Sequence, residues 1–336
     1  MSLRLITSDR RFRPLFWTQF FGAMNDNILK NALVIMVQYQ GLSVVGLGPG
    51  SIVALAGGIF ILPFFLFSPF AGQVCDRHER SRLMRMVKIW EVLIMCLAIL
   101  GFLLPNLPLL LFTLFMAGLQ STIFGPMKFS MIPELVEPGE LVSANAFVEL
   151  GTFLAILVGT ILGGVLIAMP SGQFWVPAVL MVVALAGLAA SWLSPPVRIA
   201  APDLVVRYNP LPGFASTFGL LRRERSVFHS VLAISWFWFY GAALLSLLPG
   251  YCKEFLGAGE HVVTAFLAMF TVGIGVGSML CGKLSFRRVE PGLVPLGALG
   301  MSVFLLELFF IRPEVVESSA PFFRLASFWL RPMVRD

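Results

Sequence analysis

A short polar segment interrupts the first long apolar run of the chain. Within the run from Pro14 to Val37, residues 25–31 read Asn-Asp-Asn-Ile-Leu-Lys-Asn, so two opposite charges and three amides lie together. Asp26 and Lys30 are four residues apart with the acid first, so in a helix they share a face and can pair. A carboxylate beside an ammonium can also bind a zwitterionic ligand, one charge to each.

The position of these charges predicts a polar site inside a bilayer. A charged side chain near the centre of a membrane helix costs roughly 2.5 to 3.5 kcal/mol, and such residues usually serve binding or ion transfer. On this interpretation Asn25, Asp26, Asn27 and Lys30 face a central cavity, as a headgroup site or an ion-coupling site. The alternative is a structural ion pair that holds the first helix against a neighbour.

Three further polar residues lie in the middle of the first half of the chain. Asn145 and Glu149 repeat the four-residue spacing at the start of a later apolar run, which puts them on one helix face. Glu149 fits a binding role or a structural pairing with a basic loop residue equally well. Lys128 fits either a binding role or snorkelling toward lipid phosphates. Glu91, a single acid in the third apolar run, is interpreted as structural.

The composition is that of an integral membrane protein. Hydrophobic residues make up 58% of the chain, charged residues only 12%, and the mean hydropathy is +0.88. The net charge of +6 comes from short clusters between apolar runs, which predicts membrane orientation and not nucleic-acid binding. The four cysteines and three histidines are scattered, so neither a metal site, a cofactor site nor a disulfide framework is predicted.

The apolar runs predict an all-α protein with nine membrane spans in two groups. The spans are expected at 14–39, 51–74, 83–104, 107–127, 142–168, 174–194, 227–250, 262–283 and 291–311. This divides the chain into a six-helix half (1–194), a central cytoplasmic loop (195–226), a partial second half (227–311) and a tail (312–336). Within the tail, Phe322–Leu330 is too short to cross and is expected at the membrane interface.

Arginine and lysine clusters alternate with uncharged connections along the chain. Arg4–Arg13, Arg77–Lys88 and Arg198–Arg225 all fall on one side, which predicts that this side and the N-terminus are cytoplasmic. A glycine followed by a basic turn also occurs after the second and the eighth spans, at Gly72–Arg82 and Gly277–Arg288. This recurrence favours two repeated halves, although any short cytoplasmic loop tends to be basic.

These motifs resemble the major facilitator superfamily, and within it the lysophospholipid transporter branch, including transporter halves fused to 2-acyl-glycerophosphoethanolamine acyltransferases. The turn Gly72–Arg82 resembles the superfamily signature between the second and third helices. The resemblance to the branch rests on the blocks Gln19–Leu33, Gly125–Leu135, Leu141–Glu149 and Gly159–Gly164.

The resemblance implies a major facilitator type helical bundle that moves 2-acyl-glycerophosphoethanolamine across the bacterial inner membrane for reacylation. It implies a monomer in the lipid bilayer that works with an acyltransferase acting on the transported lipid. The implied substrate-binding residues are Asn25, Asp26, Asn27, Lys30, Lys128, Asn145 and Glu149, and the loop motif consists of Gly72, Asp76, Arg77 and Arg80.

Two departures from the family pattern leave other functions open. The arginine motif of proton-coupled members is absent from the fourth span, which offers only Gln120 as a strongly polar residue. Nine spans in place of twelve suggest a chain truncated at its C-terminal end. The alternatives are an exporter of drugs or small metabolites, a non-transporting fragment, or a scaffold for a separate acyltransferase.

Catalysis by this chain itself is not expected. An acyltransferase of the fused relatives needs a histidine with an aspartate about five residues later, as base and orienting group. The three histidines, His78, His229 and His261, are followed at that distance by Leu83, Ile234 and Phe266.

Overall fold

The protein is all-α in its computed structural model, which describes residues 4–40, 46, 49–206, 209–252, 260–285 and 290–310. Across these ranges the chain forms eleven helices and one short 3-10 turn, Pro138–Glu140, with no strand. The helices are α1 (Arg4–Thr7), α2 (Arg13–Gln40), α3 (Pro49–Arg77), α4 (Arg80–Leu103), α5 (Leu107–Leu135), α6 (Leu141–Ala168), α7 (Gly172–Trp192), α8 (Pro210–Arg223), α9 (Arg225–Gly250), α10 (Glu260–Leu284) and α11 (Leu293–Phe310).

Each of the nine predicted spans coincides with one helix, and α5 differs most from its expected bounds. The sequence predicted an end near Met127, whereas α5 continues through Pro133 to Leu135. Met131, Ile132 and Leu135 are buried in this extension, so tertiary packing outweighs the local preference of proline to end a helix. The segment predicted as a polar loop contains α8, and the predicted tail 312–336 lies outside the described residues.

Five of the described helices are long and apolar enough to cross a bilayer, namely α3, α4, α5, α6 with its preceding turn, and α7. Helix α2, with 28 residues, is also long enough but is not among the five. Its polar cluster around Asp26 lowers its mean hydropathy, which is the expected effect of polar residues placed inside a span.

The chain divides into two compact units. The first comprises Met1–Glu224 with Ile274–Val289, and the second comprises Arg225–Gly273 with Glu290–Asp336. The first unit contains the polar residues of α2 and is built around that helix. Helix α2 packs against α6 and α7, α3 packs against α5, and α4 packs against α5 and α7.

Apolar side chains form two core clusters within the first unit. One surrounds Ile28 and Leu33 of α2 with Met95 of α4 and Leu114 of α5. The other lies where α3 ends and α4 begins, hereafter the basic end, and includes Phe12. Along α2, residues of the first cluster such as Met24, Ile28 and Leu33 alternate with the polar residues 25–31, so apolar packing on the same stretch of helix holds the polar residues in position.

The basic end is closed by hydrogen bonds that the carboxylate of Glu79, the N-cap of α4, accepts. Its carboxylate accepts from the backbone N–H groups of Ser81 and Arg82, and also from Val197 beyond α7, each at 2.8 Å. The Ser81 hydroxyl also contacts the carbonyl oxygen of Pro195. Glu79 therefore ties the start of α4 to the chain that leaves α7.

The predicted loop motif lies in the same turn. Asp76 and the buried Arg80 form an ion pair at 3.6 Å, and the Arg80 guanidinium also donates to the carbonyl oxygen of Arg198 at 3.4 Å. The Asp76 carbonyl oxygen accepts from the Ala201 N–H at 2.9 Å. Arg77 is exposed, and an added Cβ at Gly72 would meet no neighbour within 4 Å.

Replacing Glu79 with glutamine is expected to flatten the acid dependence of stability. Burial alone would raise the pKa of Glu79, but the backbone N–H groups of Val197, Ser81 and Arg82 bring the pKa below its ordinary value of 4.5. A lowered folded-state pKa contributes stability that is complete above about pH 4.5 and is lost as the pH falls through the folded-state value. The wild type should therefore lose more stability below pH 4.5 than Glu79→Gln does.

The measurement is the free energy of unfolding in mixed micelles at neutral pH and at successively lower pH. The exposed Glu134→Gln removes the same charge and should retain the acid sensitivity of the wild type. Equal acid sensitivity of Glu79→Gln and the wild type would contradict the role assigned to Glu79.

Candidate functional site

A buried polar cluster joins α2, α4 and α5 in the middle of the first unit. Its centre is the ion pair between Lys88 and Glu91, whose side chains are 1% and 3% exposed. The Glu91 carboxylate also accepts hydrogen bonds from Gln120 Nε2 and from Asn25 Nδ2, both at 3.1 Å. Three donors around one carboxylate offset the cost of burying its charge.

Two glycines make room for the lysine of this cluster. An added Cβ at Gly187 of α7 would lie 2.8 Å from both Cε and Nζ of Lys88, and one at Gly22 of α2 would lie 3.2 Å from Nζ. Larger residues at these positions would displace the ammonium from Glu91. The side chain of Lys88 thus fills a space between α2, α4 and α7 that the sequence keeps open.

Asp26 and Lys30 lie half-buried beside this cluster and have separate partners. The Asp26 carboxyl oxygen Oδ2 and the Ser121 hydroxyl oxygen of α5 are hydrogen-bond partners at 2.6 Å. The Lys30 ammonium lies over the ring of Phe60 in α3, 5.9 Å from its centroid. The two residues share a face of α2, as predicted, but not the direct pairing that their spacing allows.

Asp26 and Lys30 are not among the ion pairs found in the part of the chain that the structure describes. Those pairs are Arg11–Asp9, Arg80–Asp76, Arg82–Glu79 and Lys88–Glu91. Lys30 is near enough to interact electrostatically with the carboxyl group of Asp26, but the two side chains are not in contact. A ligand that carries both signs of charge could therefore engage them without first breaking an ion pair.

The other predicted amides bind backbone carbonyl groups. Asn27 donates to Ala23 within α2 at 2.8 Å, Asn31 donates to Thr160 of α6 at 2.7 Å, and Asn145 donates to Leu141 within α6 at 2.8 Å. Asn25 faces α4, as described above. Within the predicted polar segment, Asn25 and Asn31 therefore join α2 to α4 and α6, Asn27 bonds within α2, and the two charged residues keep partly accessible positions.

Lys128, Asn145 and Glu149 form a second group nearer the basic end. Gly159 of α6 faces Asn27, and Glu149 precedes Gly159 by ten residues, which corresponds to about 15 Å along a helix. Lys128 lies over the Phe129 ring, 4.9 Å from its centroid, and attracts Glu149 electrostatically. Glu149 and Asn145 therefore lie at a different depth from Asp26, because the register of α2 on α6 offsets them along the helix axis.

Sequence reasoning assigned Glu91 a structural role but missed its partner Lys88, which was counted with the basic loop residues. The available signal was the spacing of three residues between Lys88 and Glu91 inside a predicted span, which places both on one helix face. No group of three or more His, Cys, Asp or Glu side chains in the described ranges is arranged to hold a metal ion.

Comparison with known sequences gives a family match over most of the chain. The family model of the Major Facilitator Superfamily matches residues 15–330. The lysophospholipid transporter LplT of Enterobacter sp. (strain 638) is 28% identical over 296 residues, which cover 86% of this chain and 70% of that protein. The lysophospholipid transporter LplT of Cronobacter sakazakii is 28% identical over 306 residues, or 89% of this chain and 73% of that protein.

Solved structures give the same fold at lower sequence identity. The human organic anion transporter MFSD10 (TETRAN) has a TM-score of 0.60 at 14% identity, covering 83% of this chain and 73% of that one. A bacterial homologue of the iron transporter ferroportin in its outward-facing state has a TM-score of 0.51 at 18% identity, covering 81% and 69%. With the family match over residues 15–330, the chain belongs to the Major Facilitator Superfamily as a multi-pass membrane transporter.

Proposed function

We propose that this protein carries lysophospholipids of the 2-acyl-glycerophosphoethanolamine type across the bacterial inner membrane. The lysophospholipid transporters that it resembles support this substrate class. The basic turns support an orientation with the N-terminus in the cytoplasm. In this orientation the lipid would reach the cytoplasmic leaflet, where a separate acyltransferase would restore its second acyl chain.

The observation that carries the proposal is the arrangement of Asp26 and Lys30. Both are half-buried on one face of α2, inside a helix bundle that spans a membrane, and each has its own partner on a neighbouring helix. A phosphoethanolamine head presents one ammonium and one phosphate. Asp26 would bind the ammonium and Lys30 the phosphate, as charge-assisted hydrogen bonds that are stronger in the membrane interior than in water.

The second polar group would act at a different stage of transfer. Lys128 and Glu149 also combine one cation and one anion. Glu149 lies about 15 Å nearer the basic end along α6, and Lys128 follows Ser121 by seven residues, or about 10 Å, along α5. A headgroup that leaves Asp26 and Lys30 toward the cytoplasm would meet them next. Asn145, which is exposed on the same helix as Glu149, would donate to the phosphate at that point.

The test is the affinity of the purified chain, in lipid nanodiscs, for lysophosphatidylethanolamine and for lysophosphatidylglycerol, which lacks the ammonium. Asp26→Asn should weaken binding of the ethanolamine lipid at least tenfold, equivalent to about 1.4 kcal/mol, and affect the glycerol lipid much less. Lys30→Met should weaken both lipids because both carry a phosphate.

The control is Asp203→Asn, which removes an exposed carboxylate outside the helices and should bind both lipids like the wild type. The same variants are then compared for lysolipid flipping in vesicles. Unchanged affinity of Asp26→Asn for the ethanolamine lipid would refute the headgroup assignment. Displacement of bound lysolipid by organic dyes would instead favour an exporter of small molecules.

A further inference from the structure

We propose that Gln120 and Ser121 form a hydrogen-bond relay that keeps a proton on Asp26 while the site is empty, and that a ligand ammonium replaces this proton. The inference rests on the proposed function, since it concerns the same carboxylate. It assigns positioning roles to Gln120 and Ser121, and it names the proton as the ion exchanged for the headgroup.

The Lys88–Glu91 pair fixes the orientation of the Gln120 amide. A carboxylate accepts hydrogen bonds and donates none, so the group that faces Glu91 must be the amide nitrogen. Gln120 Nε2 accordingly lies 3.1 Å from Glu91 Oε2. The amide oxygen of Gln120 then points to the other side, where it lies 3.1 Å from the Ser121 hydroxyl oxygen.

The Ser121 hydroxyl consequently stands between two acceptors. Its oxygen lies 3.1 Å from Gln120 Oε1 and 2.6 Å from Asp26 Oδ2. A hydroxyl carries one hydrogen and can donate it to one of them only. If Asp26 is a carboxylate, one of the two contacts brings lone pairs together without a hydrogen, which is unfavourable in a site of low polarity.

A proton on Asp26 completes the relay. The Asp26 carboxylic acid then donates to the Ser121 oxygen, Ser121 donates to Gln120 Oε1, and the Gln120 nitrogen donates to Glu91. Every oxygen–oxygen contact in this series contains one hydrogen. The distance of 2.6 Å between Asp26 and Ser121 falls within the range of O–H···O hydrogen bonds.

The charges around Asp26 come from two helices. Lys30 on α2 favours the carboxylate, while Lys88 and Glu91 on α4 act with opposite signs. Helix α5 contributes the neutral Gln120 and Ser121, while its ionisable residues Lys128 and Glu134 follow Ser121 by seven and thirteen residues, and α7 has no ionisable residue.

The remaining helices that pack on α2 are α1, α3 and α6, and their ionisable residues lie toward the basic end, that of α1 being Arg4. Those of α3 are Cys75, Asp76 and Arg77 at its basic end. Glu149 is the ionisable residue of α6, about 15 Å along that helix from Asn27. Two positive charges near Asp26, Lys30 and Lys88, disfavour its protonation. Lys88 is paired with Glu91, whereas Lys30 is in none of the ion pairs among the described residues.

Binding of a ligand ammonium changes how many hydrogens are available for hydrogen bonds around Asp26. The ammonium brings its own hydrogens and a positive charge to Asp26, so the carboxylic proton is no longer needed and leaves to water. At Asp26 one positive charge enters as the ammonium and one leaves as the proton, so the charge at this carboxyl group is conserved, while the phosphate that binds Lys30 adds one negative charge to the site. A lysolipid without an ammonium provides no such replacement.

The first test is the infrared spectrum of the purified chain in nanodiscs without ligand at neutral pH. The carbonyl band of a protonated carboxylic acid should be present in the wild type and lost in Asp26→Asn. Ser121→Ala and Gln120→Leu should shift this band or remove it. Ser130→Ala removes a hydroxyl from the same helix, one that donates to the Met127 carbonyl oxygen, and should leave the band unchanged.

The second test follows protons released on lysolipid binding, with a pH indicator in weakly buffered medium. Lysophosphatidylethanolamine should release about one proton per lipid bound, lysophosphatidylglycerol none, and Asp26→Asn none with either. Binding of the ethanolamine lipid without a carboxylic acid band would overturn the relay and leave the headgroup site standing. A band that depends on Asp26 and Ser121, without lysolipid binding, would support the relay and refute the proposed substrate.

Discussion

Lys88→Met is expected to lower the free energy of unfolding by about 3–5 kcal/mol. The substitution keeps most of the side-chain volume between α2, α4 and α7 but removes the ammonium that pairs with Glu91. The carboxylate of Glu91, 3% exposed, would then remain buried with only the two neutral amide donors of Gln120 and Asn25. Removing one partner of a buried ion pair lowers the free energy of unfolding much more than replacing both partners with apolar residues, because the remaining charge is uncompensated.

The measurement is unfolding in mixed micelles, followed by circular dichroism, for the wild type and a set of variants. Glu91→Gln removes the opposite charge and keeps an acceptor for the amides. The double variant Lys88→Met/Glu91→Gln should therefore lose about 0.5–3 kcal/mol less stability than the sum of the losses of the two single variants. Lys128→Met makes the same chemical change at a half-buried lysine outside the described ion pairs. It should lower the free energy of unfolding by no more than about 1 kcal/mol. Equal losses for Lys88→Met and Lys128→Met would contradict the structural role of the pair.

The helices could be predicted from the sequence because apolar runs in a membrane protein have a fixed minimum length and charged ends. The nine predicted spans lie on nine helices for this reason. The extension of α5 through Pro133 could not be predicted, because it depends on the burial of Met131, Ile132 and Leu135 against other helices. Helix α8 was missed since its charged end and its prolines are also typical of a loop.

The site could be predicted only in part. Asp26 and Lys30 were identified because a charge within an apolar run can be recognised from the sequence of a single helix. The hydrogen bonds of Glu91 to Gln120 and Asn25 join three helices, and no local spacing shows which helices are neighbours. The axial offset of Glu149 from Asp26 likewise depends on the register of α2 on α6, which packing determines.

That register is set by close contacts between the backbones of α2 and α6. An added Cβ at Gly159 would lie 2.5 Å from the Met24 carbonyl oxygen, and one at Gly163 would lie 2.6 Å from that of Ile28. Small residues at such positions let membrane helices approach closely. The polar residues between Met24 and Asn31 therefore take their positions partly from the glycines of a different helix.

Gly163→Ala is expected to destabilise the protein by about 1–3 kcal/mol, because the new methyl group meets the Ile28 backbone, which cannot rotate away. The neighbouring Gly164→Ala is the matched control, since its methyl group would meet only the side-chain ends Ile35 Cδ1 and Asn31 Nδ2, at 3.1 and 3.2 Å. Alanine is favoured over glycine in a helix by about 1 kcal/mol, so Gly164→Ala should be neutral or stabilising.

The two alanine variants should differ in lysolipid binding as well as in the free energy of unfolding. A methyl group at position 163 moves α2 away from α6, and with it Asp26 and Lys30 move relative to Ser121 and Phe60. Gly163→Ala should therefore weaken the affinity for lysophosphatidylethanolamine, whereas Gly164→Ala should not. Equal stability and equal affinity for the two variants would contradict the close α2–α6 contact, and weakened binding without destabilisation would indicate that position 163 contacts the ligand itself.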